Sequence, residues 1–295
     1  MTIALSIDGG GVRGVIAARI LELLEKELNT PLDKMFDVFI GSSTGALIVC
    51  GIAHCKLPAG YICDNLYSSE TTTKIMKKSW KDKIFGLFQN KPKYDGIEKR
   101  ALIQHFAKEK KFNETDKLVM VPIYDITSNE PVIFNSSDIS SDVSLLNVLD
   151  TASAAPGFFP SVEYKPNQWG MDSGIVSNNP SMYCYTEMIK NNNSNIKILS
   201  LGTGTYSIKN TDTQNWGGIQ WLSKGDILDI IIETSMKNED YQLKILLSDN
   251  YLRIDTNVKD INMDDTTPEN IENLKETADK LWNINRKKIL NLLLN

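Results

Sequence analysis

Twice within its first 55 residues the chain runs a short apolar strand into a glycine turn and then into an apolar helix, and few folds permit that order. The first strand, Ile3 to Ile7, enters Asp8-Gly9-Gly10-Gly11-Val12-Arg13-Gly14. A helix follows, with Ile16, Ile20, Leu23, Leu24 and Leu28 on one stripe and Arg19, Glu22, Glu25 and Lys26 mainly off it. Thr30-Pro31 ends that helix, because the residue before a proline disfavours helical backbone. Val38-Phe39-Ile40 then passes through Gly41-Ser42-Ser43-Thr44-Gly45 into a second apolar helix from Ala46. This is the opening of a layered βαβα fold.

Further strands are expected at Leu118 to Ile126, Pro131 to Phe134, Ile196 to Leu201 and Tyr251 to Ile254, with Pro122 weakening the first. Helical patterning returns at Leu145 to Ala154, Met182 to Lys190, Ile227 to Met236 and Ile271 to Leu294. No repeat or low-complexity linker divides the 295 residues, so one domain spanning 1–295 is expected. A chain of this length buries enough apolar surface to fold without metal or disulfide staples. The four cysteines form no CxxC pair, and free thiols in a cytoplasmic setting fit them. Cys50 and His54 share a helix face at i, i+4, but a metal site needs further ligands, so no metal is expected. The net charge of −5 argues against a nucleic-acid partner. No apolar run reaches the ~18 residues of a membrane span, and the N-terminus lacks the basic region of a signal peptide.

Gly41-x-Ser43-x-Gly45 between a strand and a helix has the layout of a nucleophile elbow, with Gly41 and Gly45 letting neighbouring backbone pass closely. A nucleophilic serine needs a base, and the chain has two histidines, His54 and His105. His54 lies eleven residues along the helix leaving Ser43. That is about 16 Å at 1.5 Å per residue, beyond hydrogen-bond reach. His105 falls in an amphipathic helical stretch that suits a structural role. The base is therefore expected to be a carboxylate or a lysine. Asp172, in Trp169-Gly170-Met171-Asp172-Ser173-Gly174, is the strongest carboxylate candidate, although an ordinary Asx-turn reads equally well from local sequence. The N–H groups of Gly9, Gly10 and Gly11, ahead of a helix N-terminus, can form a concavity for negative charge, with Arg13 holding the turn or meeting a phosphate. Gly9-x-Gly11-x-x-Gly14 also satisfies a dinucleotide fingerprint. That reading fails because Asp33 and Asp37 precede the second strand, whose end carries Gly41-Ser42-Ser43 instead of an acidic residue.

Together, Asp8-Gly9-Gly10-Gly11-Val12-Arg13-Gly14, Gly41-Ser42-Ser43-Thr44-Gly45 and Asp172-Ser173-Gly174 resemble the signature of the patatin-like phospholipases. The resemblance continues through Tyr94-Asp95-Gly96, the run from Ala152 to Pro160, Asn178-Asn179-Pro180, the run from Leu199 to Thr205, and Met263-Asp264-Asp265. It covers nearly the whole chain and is closest to the plant storage-protein type. The resemblance implies an α/β fold, a three-layer α/β/α sandwich with a mostly parallel central sheet. It also implies a Ser-Asp dyad that hydrolyses lipid acyl esters with no cofactor. Carried over, Ser43 matches the nucleophile, Asp172 the base, and Gly9, Gly10, Gly11 and Arg13 the oxyanion-hole turn. Ser173 departs from the glycine usual there, and a positive φ at that position would strain it.

The implied partner is a membrane glycerolipid. Residues 74–93 hold seven lysines against one aspartate, interleaved with Trp80, Phe85 and Phe88, and form a candidate surface for peripheral contact with anionic lipid. A catalytically silent lipid-binding or storage protein on the same fold, and a membrane-degrading effector awaiting a signal, are the alternative readings.

Overall fold

The computed structural model describes residues 1–77, 91–138, 142–192, 195–205, 213–214, 216–218, 220–221, 227–258 and 262–294. An eight-stranded sheet runs through it: β1 (Thr2–Ile7), β2 (Val38–Gly41), β3 (Leu118–Asp125), β4 (Glu130–Asn135), β5 (Val162–Lys165), β6 (Gln168–Asp172), β7 (Ile196–Leu201) and β8 (Tyr251–Ile254). Its order is β5-β6-β3-β2-β1-β7-β8, with β4 paired to β3 as well. From β3 to β8 the pairings on this path are parallel, whereas β4, β5 and β6 join antiparallel.

Side chains alternate between two cores, as a strand's twofold period demands. Leu5, Ile7, Phe39, Val119, Val121, Leu199 and Leu201 face one core. It is covered by α1 (Val15–Leu28), α2 (Thr44–Ala53), α5 (Leu145–Ala152) and α8 (Pro268–Leu294). Ala4, Val38, Ile40, Met120, Ile196 and Ile198 face the other, beneath α6 (Ser181–Lys190) and α7 (Ile227–Leu247). Sheet between two helical layers is the expected α/β/α arrangement. Two further helices, α3 (Ser69–Ile75) and α4 (Ile97–Ala107), lie between α2 and β3 along the chain.

The register along β3 positions the site. On one edge, Leu118 to Met120 pair in parallel with Val38 to Ile40 of β2. Further along, Ile123 to Asp125 pair antiparallel with Asp172 to Gly170 of β6. Met120 and Ile123 meet β4 through Asn135 and Val132, so β2 and β6 share the opposite edge. The C-terminal ends of β2 and β6 therefore approach each other head-on. Pro122 falls in the gap between them, where a strand loses nothing by lacking an N–H. That explains how a proline sits inside the sheet.

Candidate functional site

Ser43 stands two residues past the end of β2, at the N-cap of α2. Its backbone has φ 52° and ψ −120°, a conformation costing a residue with a side chain on the order of 1–3 kcal/mol. Ser42 N–H donates to Ile7 C=O at 3.1 Å and Gly45 N–H to Ser42 C=O at 2.7 Å, which holds the turn. A Cβ on Gly41 would lie 2.3 Å from the Gly45 carbonyl, and one on Gly45 would lie 2.3 Å from Ile7 O. Both glycines are thus required by backbone passing backbone.

Asp172 ends β6 and is 3% exposed. Its side chain and that of Ser43 line the same cavity and interact, and its Oδ1 accepts Gly174 N–H at 2.8 Å. Burial pushes its pKa up to about 6, against the Ser43 hydroxyl, the Gly174 N–H and the charge of Lys99. Ser173 has φ −84°, so the strain anticipated for a non-glycine residue is absent. Its hydroxyl donates to Pro122 C=O at 3.0 Å and ties the turn to β3.

The glycine turn differs in one respect from the expectation. Gly9 N–H donates to Asn178 C=O at 3.1 Å and is turned away from Ser43's cavity. Gly10 and Gly11 line the cavity, and among the described residues their N–H groups meet no acceptor. Two consecutive donors are thus presented, not three. Gly11 has φ +59°, and a Cβ there would sit 2.3 Å from Met263 O. Arg13 is buried; its main-chain N–H and Nε approach Gly10 C=O at 3.2 and 3.4 Å, so it holds the turn. Beneath the turn, buried Asp8 accepts from both terminal guanidinium nitrogens of Arg253, Nη1 at 3.1 Å and Nη2 at 2.5 Å. Burial opposes the Arg253 charge, but Asp8 and Asp255 outweigh it and drive its pKa up.

A cavity of about 400 Å³ opens over Ser43, Asp172, Gly10 and Gly11. Its walls are mainly apolar, including Leu47, Leu66, Leu102, Phe158, Phe159 and Ile175. Lys99 also reaches it from α4 and was missed by sequence reasoning. The Lys99 ammonium donates to Asp150 C=O at 2.7 Å and Ser153 Oγ at 3.2 Å, and pairs with Asp150 Oδ1 at 3.0 Å. Burial holds its pKa below the ordinary lysine range despite Asp150. Nothing in Glu98-Lys99-Arg100 distinguishes it from a solvated charge run. Asn178 also lines the cavity, and Thr203 lies behind the turn; sequence reasoning had counted both within motifs without assigning them to the site.

Neither histidine lines the cavity. His54 is buried at the end of α2, its Nε2 2.7 Å from Phe112 C=O, and His105 is exposed on α4. Burial lowers His54 to about 4, against the Phe112 hydrogen bond. Among the described residues no group of three or more His, Cys, Asp or Glu could hold a metal ion, and no helix is long and apolar enough to cross a membrane. Trp80, Phe85 and Phe88 lie outside the described residues. The described ends of their segment, Ile75, Met76 and Lys93, border the cavity. There Lys93 pairs with Asp264, which also accepts Tyr94 OH at 2.5 Å.

A patatin-like phospholipase family model matches residues 5–185, and the chain belongs to that family. Membership makes lipid hydrolysis its general class of activity. The chain is 30% identical to Patatin-like protein 1 of Arabidopsis thaliana, over 94% of this chain and 80% of that protein. It is 31% identical to Patatin-like protein 4 of the same plant, over 95% and 83% respectively. Among solved structures it is similar to VipD from Legionella pneumophila, with 12% identity and a TM-score of 0.47, over 96% of this chain and 66% of that one.

Proposed function

We propose that the chain hydrolyses acyl esters of membrane glycerolipids, with Ser43 as nucleophile and Asp172 as its base. The observation that carries this reading is the strained Ser43 and the buried Asp172 converging on one cavity, close enough that Ser43 favours the ionised carboxyl. Asp172 takes the hydroxyl proton as Ser43 Oγ attacks the acyl carbonyl. The tetrahedral oxyanion forms against Gly10 and Gly11 N–H, with the N-terminus of α2 adding favourable partial charge. Protonated Asp172 then gives its proton to the departing alcohol, leaving Ser43 acylated. Water, deprotonated by the same carboxylate, cleaves the acyl-enzyme and regenerates the hydroxyl. An ordinary aspartate is a weak base at neutral pH, and burial strengthens this one. The apolar walls suit the acyl chain, and the lysine-rich stretch 74–93 suits docking on anionic lipid.

Ser43→Ala and Asp172→Asn should each abolish hydrolysis of a chromogenic acyl ester while the chain stays folded. A fluorophosphonate should label the wild-type protein covalently and leave Ser43→Ala unlabelled. Full hydrolysis by either variant refutes the dyad.

A further inference from the structure

Two side chains from distant parts of the chain converge on one glycine carbonyl behind the oxyanion donors, and the acyl-transfer steps use neither directly. Thr203, beyond the end of β7, donates from Oγ1 to Gly9 C=O at 2.5 Å. Asn178, past the Asp172 turn, donates from Nδ2 to the same oxygen at 3.2 Å, and its own C=O accepts Gly9 N–H at 3.1 Å. Thr203 is fully buried and Asn178 nearly so.

We propose that Thr203 and Asn178 are positioning residues that aim Gly10 N–H at the reacting oxygen, a reading that rests on the Ser43–Asp172 hydrolase proposed above. A trans peptide is planar, with its C=O and N–H pointing in opposite directions. Gripping the Gly9 oxygen from behind therefore turns the Gly10 N–H forward into the cavity. Glycine on both sides of this peptide leaves it free to flip, which would present a carbonyl to the oxyanion instead of a donor. The clamp removes that freedom. Glycine is also what admits the clamp. A Cβ on Gly9 would sit 2.2 Å from Asn178 Oδ1, and one on Gly10 would sit 2.2 Å from Thr203 Oγ1. The next peptide is held the same way, by Arg13 on Gly10 C=O, so both donors are oriented from behind.

The test is Thr203→Val, which keeps the shape and removes the donor, beside Thr203→Ser, which restores it. Steady-state hydrolysis of a p-nitrophenyl acyl ester and the rate of fluorophosphonate labelling are measured in the full chain. Deleting an oxyanion donor outright lowers kcat about 10²–10³-fold, so misaiming one should lower it about ten- to a hundredfold. In Thr203→Val, KM should stay within about twofold and labelling should slow in parallel with kcat, since both reactions place an oxyanion in the same hole. Thr203→Ser should recover most of the rate. If Thr203→Val does not fold, Asn178→Leu, on a separate segment, takes its place. Wild-type kcat in the donor-less variant, a loss confined to KM, or a loss that Thr203→Ser does not rescue overturns the clamp. An active Ser43→Ala variant would instead overturn the underlying hydrolase reading, whereas an inactive one beside a fully active Thr203→Val sinks the clamp alone.

Discussion

Replacing Asp172 by Asn should make the protein more stable at neutral pH and catalytically inert, and the size of the gain can be worked out. Burial raises this carboxyl from 3.8 to about 6. A carboxyl whose folded pKa lies above its unfolded value binds a proton more readily when folded. Ionising it therefore destabilises the fold as pH climbs from the unfolded towards the folded value. At about 1.4 kcal/mol per pH unit the full penalty is about 3 kcal/mol, complete at pH 8, near half that at pH 5 and about a fifth of it at pH 4. Asparagine never ionises, and its Oδ1 can still accept Gly174 N–H. Urea denaturation of both proteins between pH 4 and pH 8 should show the difference in unfolding free energy opening with pH by roughly that amount. Other buried carboxyls, Asp8 among them, are common to both proteins and cancel. The wild-type rate should rise through the same window, because only ionised Asp172 can take the Ser43 proton; at pH 5 it should be about a tenth of its plateau. An Asn variant that gains nothing at pH 8, or gains equally at every pH, would show that Asp172 carries no buried ionisation penalty, and the acid-limb argument would fall with it.

Arg253→Met should cost about 3–5 kcal/mol, since it strips the partner from buried Asp8; a change below about 1 kcal/mol in denaturant titration would rule out that ion pair as the anchor of the glycine turn. His54→Asn should lose about 1–3 kcal/mol with its Phe112 hydrogen bond, yet the folded enzyme should keep its turnover and acid limb, as should His105→Gln. Loss of turnover in a folded histidine variant would reopen the search for the base. Replacing Lys77, Lys78, Lys81 and Lys83 with Gln should weaken co-sedimentation with anionic vesicles, and more so at low salt. Unchanged sedimentation would reject that stretch as a docking surface.

What could be read from the sequence followed the range over which each signal acts. β7 and β8 match their expected runs residue for residue, because β7 is buried throughout and β8 at both ends, with polar stretches bounding each. The hairpin of β5 and β6 escaped notice: Glu163, Gln168 and Trp169 are exposed, so neither strand carries a continuous apolar run. α7 runs eleven residues past Met236 through Lys237-Asn238-Glu239-Asp240, a stretch with little apolar periodicity. Ion pairs one turn apart, Lys237 with Glu233 and Lys244 with Asp240, support it instead. The glycine turn was legible as a donor array, but not that Asn178 consumes the Gly9 N–H, since that contact spans 169 residues.

Ser43 was legible because strand, turn and helix are contiguous around it. Asp172 was the strongest carboxylate candidate on local sequence but read equally well as an Asx-turn until the family resemblance selected it, and the physical reason is that its position is a property of register. β2 and β6 meet head-on along one edge of β3, which brings Asp172 to Ser43 across more than a hundred residues of chain. Side chains alternate along a strand, so a one-residue slip of β6 would send Asp172 to the opposite face. Two contacts oppose that slip. Gly170 packs so closely that a Cβ there would lie 2.7 Å from the Thr151 methyl, and the Ser173 hydroxyl is bonded to Pro122 C=O in the gap between the two strands. The serine that departs from the usual glycine therefore acts as a register pin for its neighbour, and the only acceptor it needs is the carbonyl that the gap leaves open.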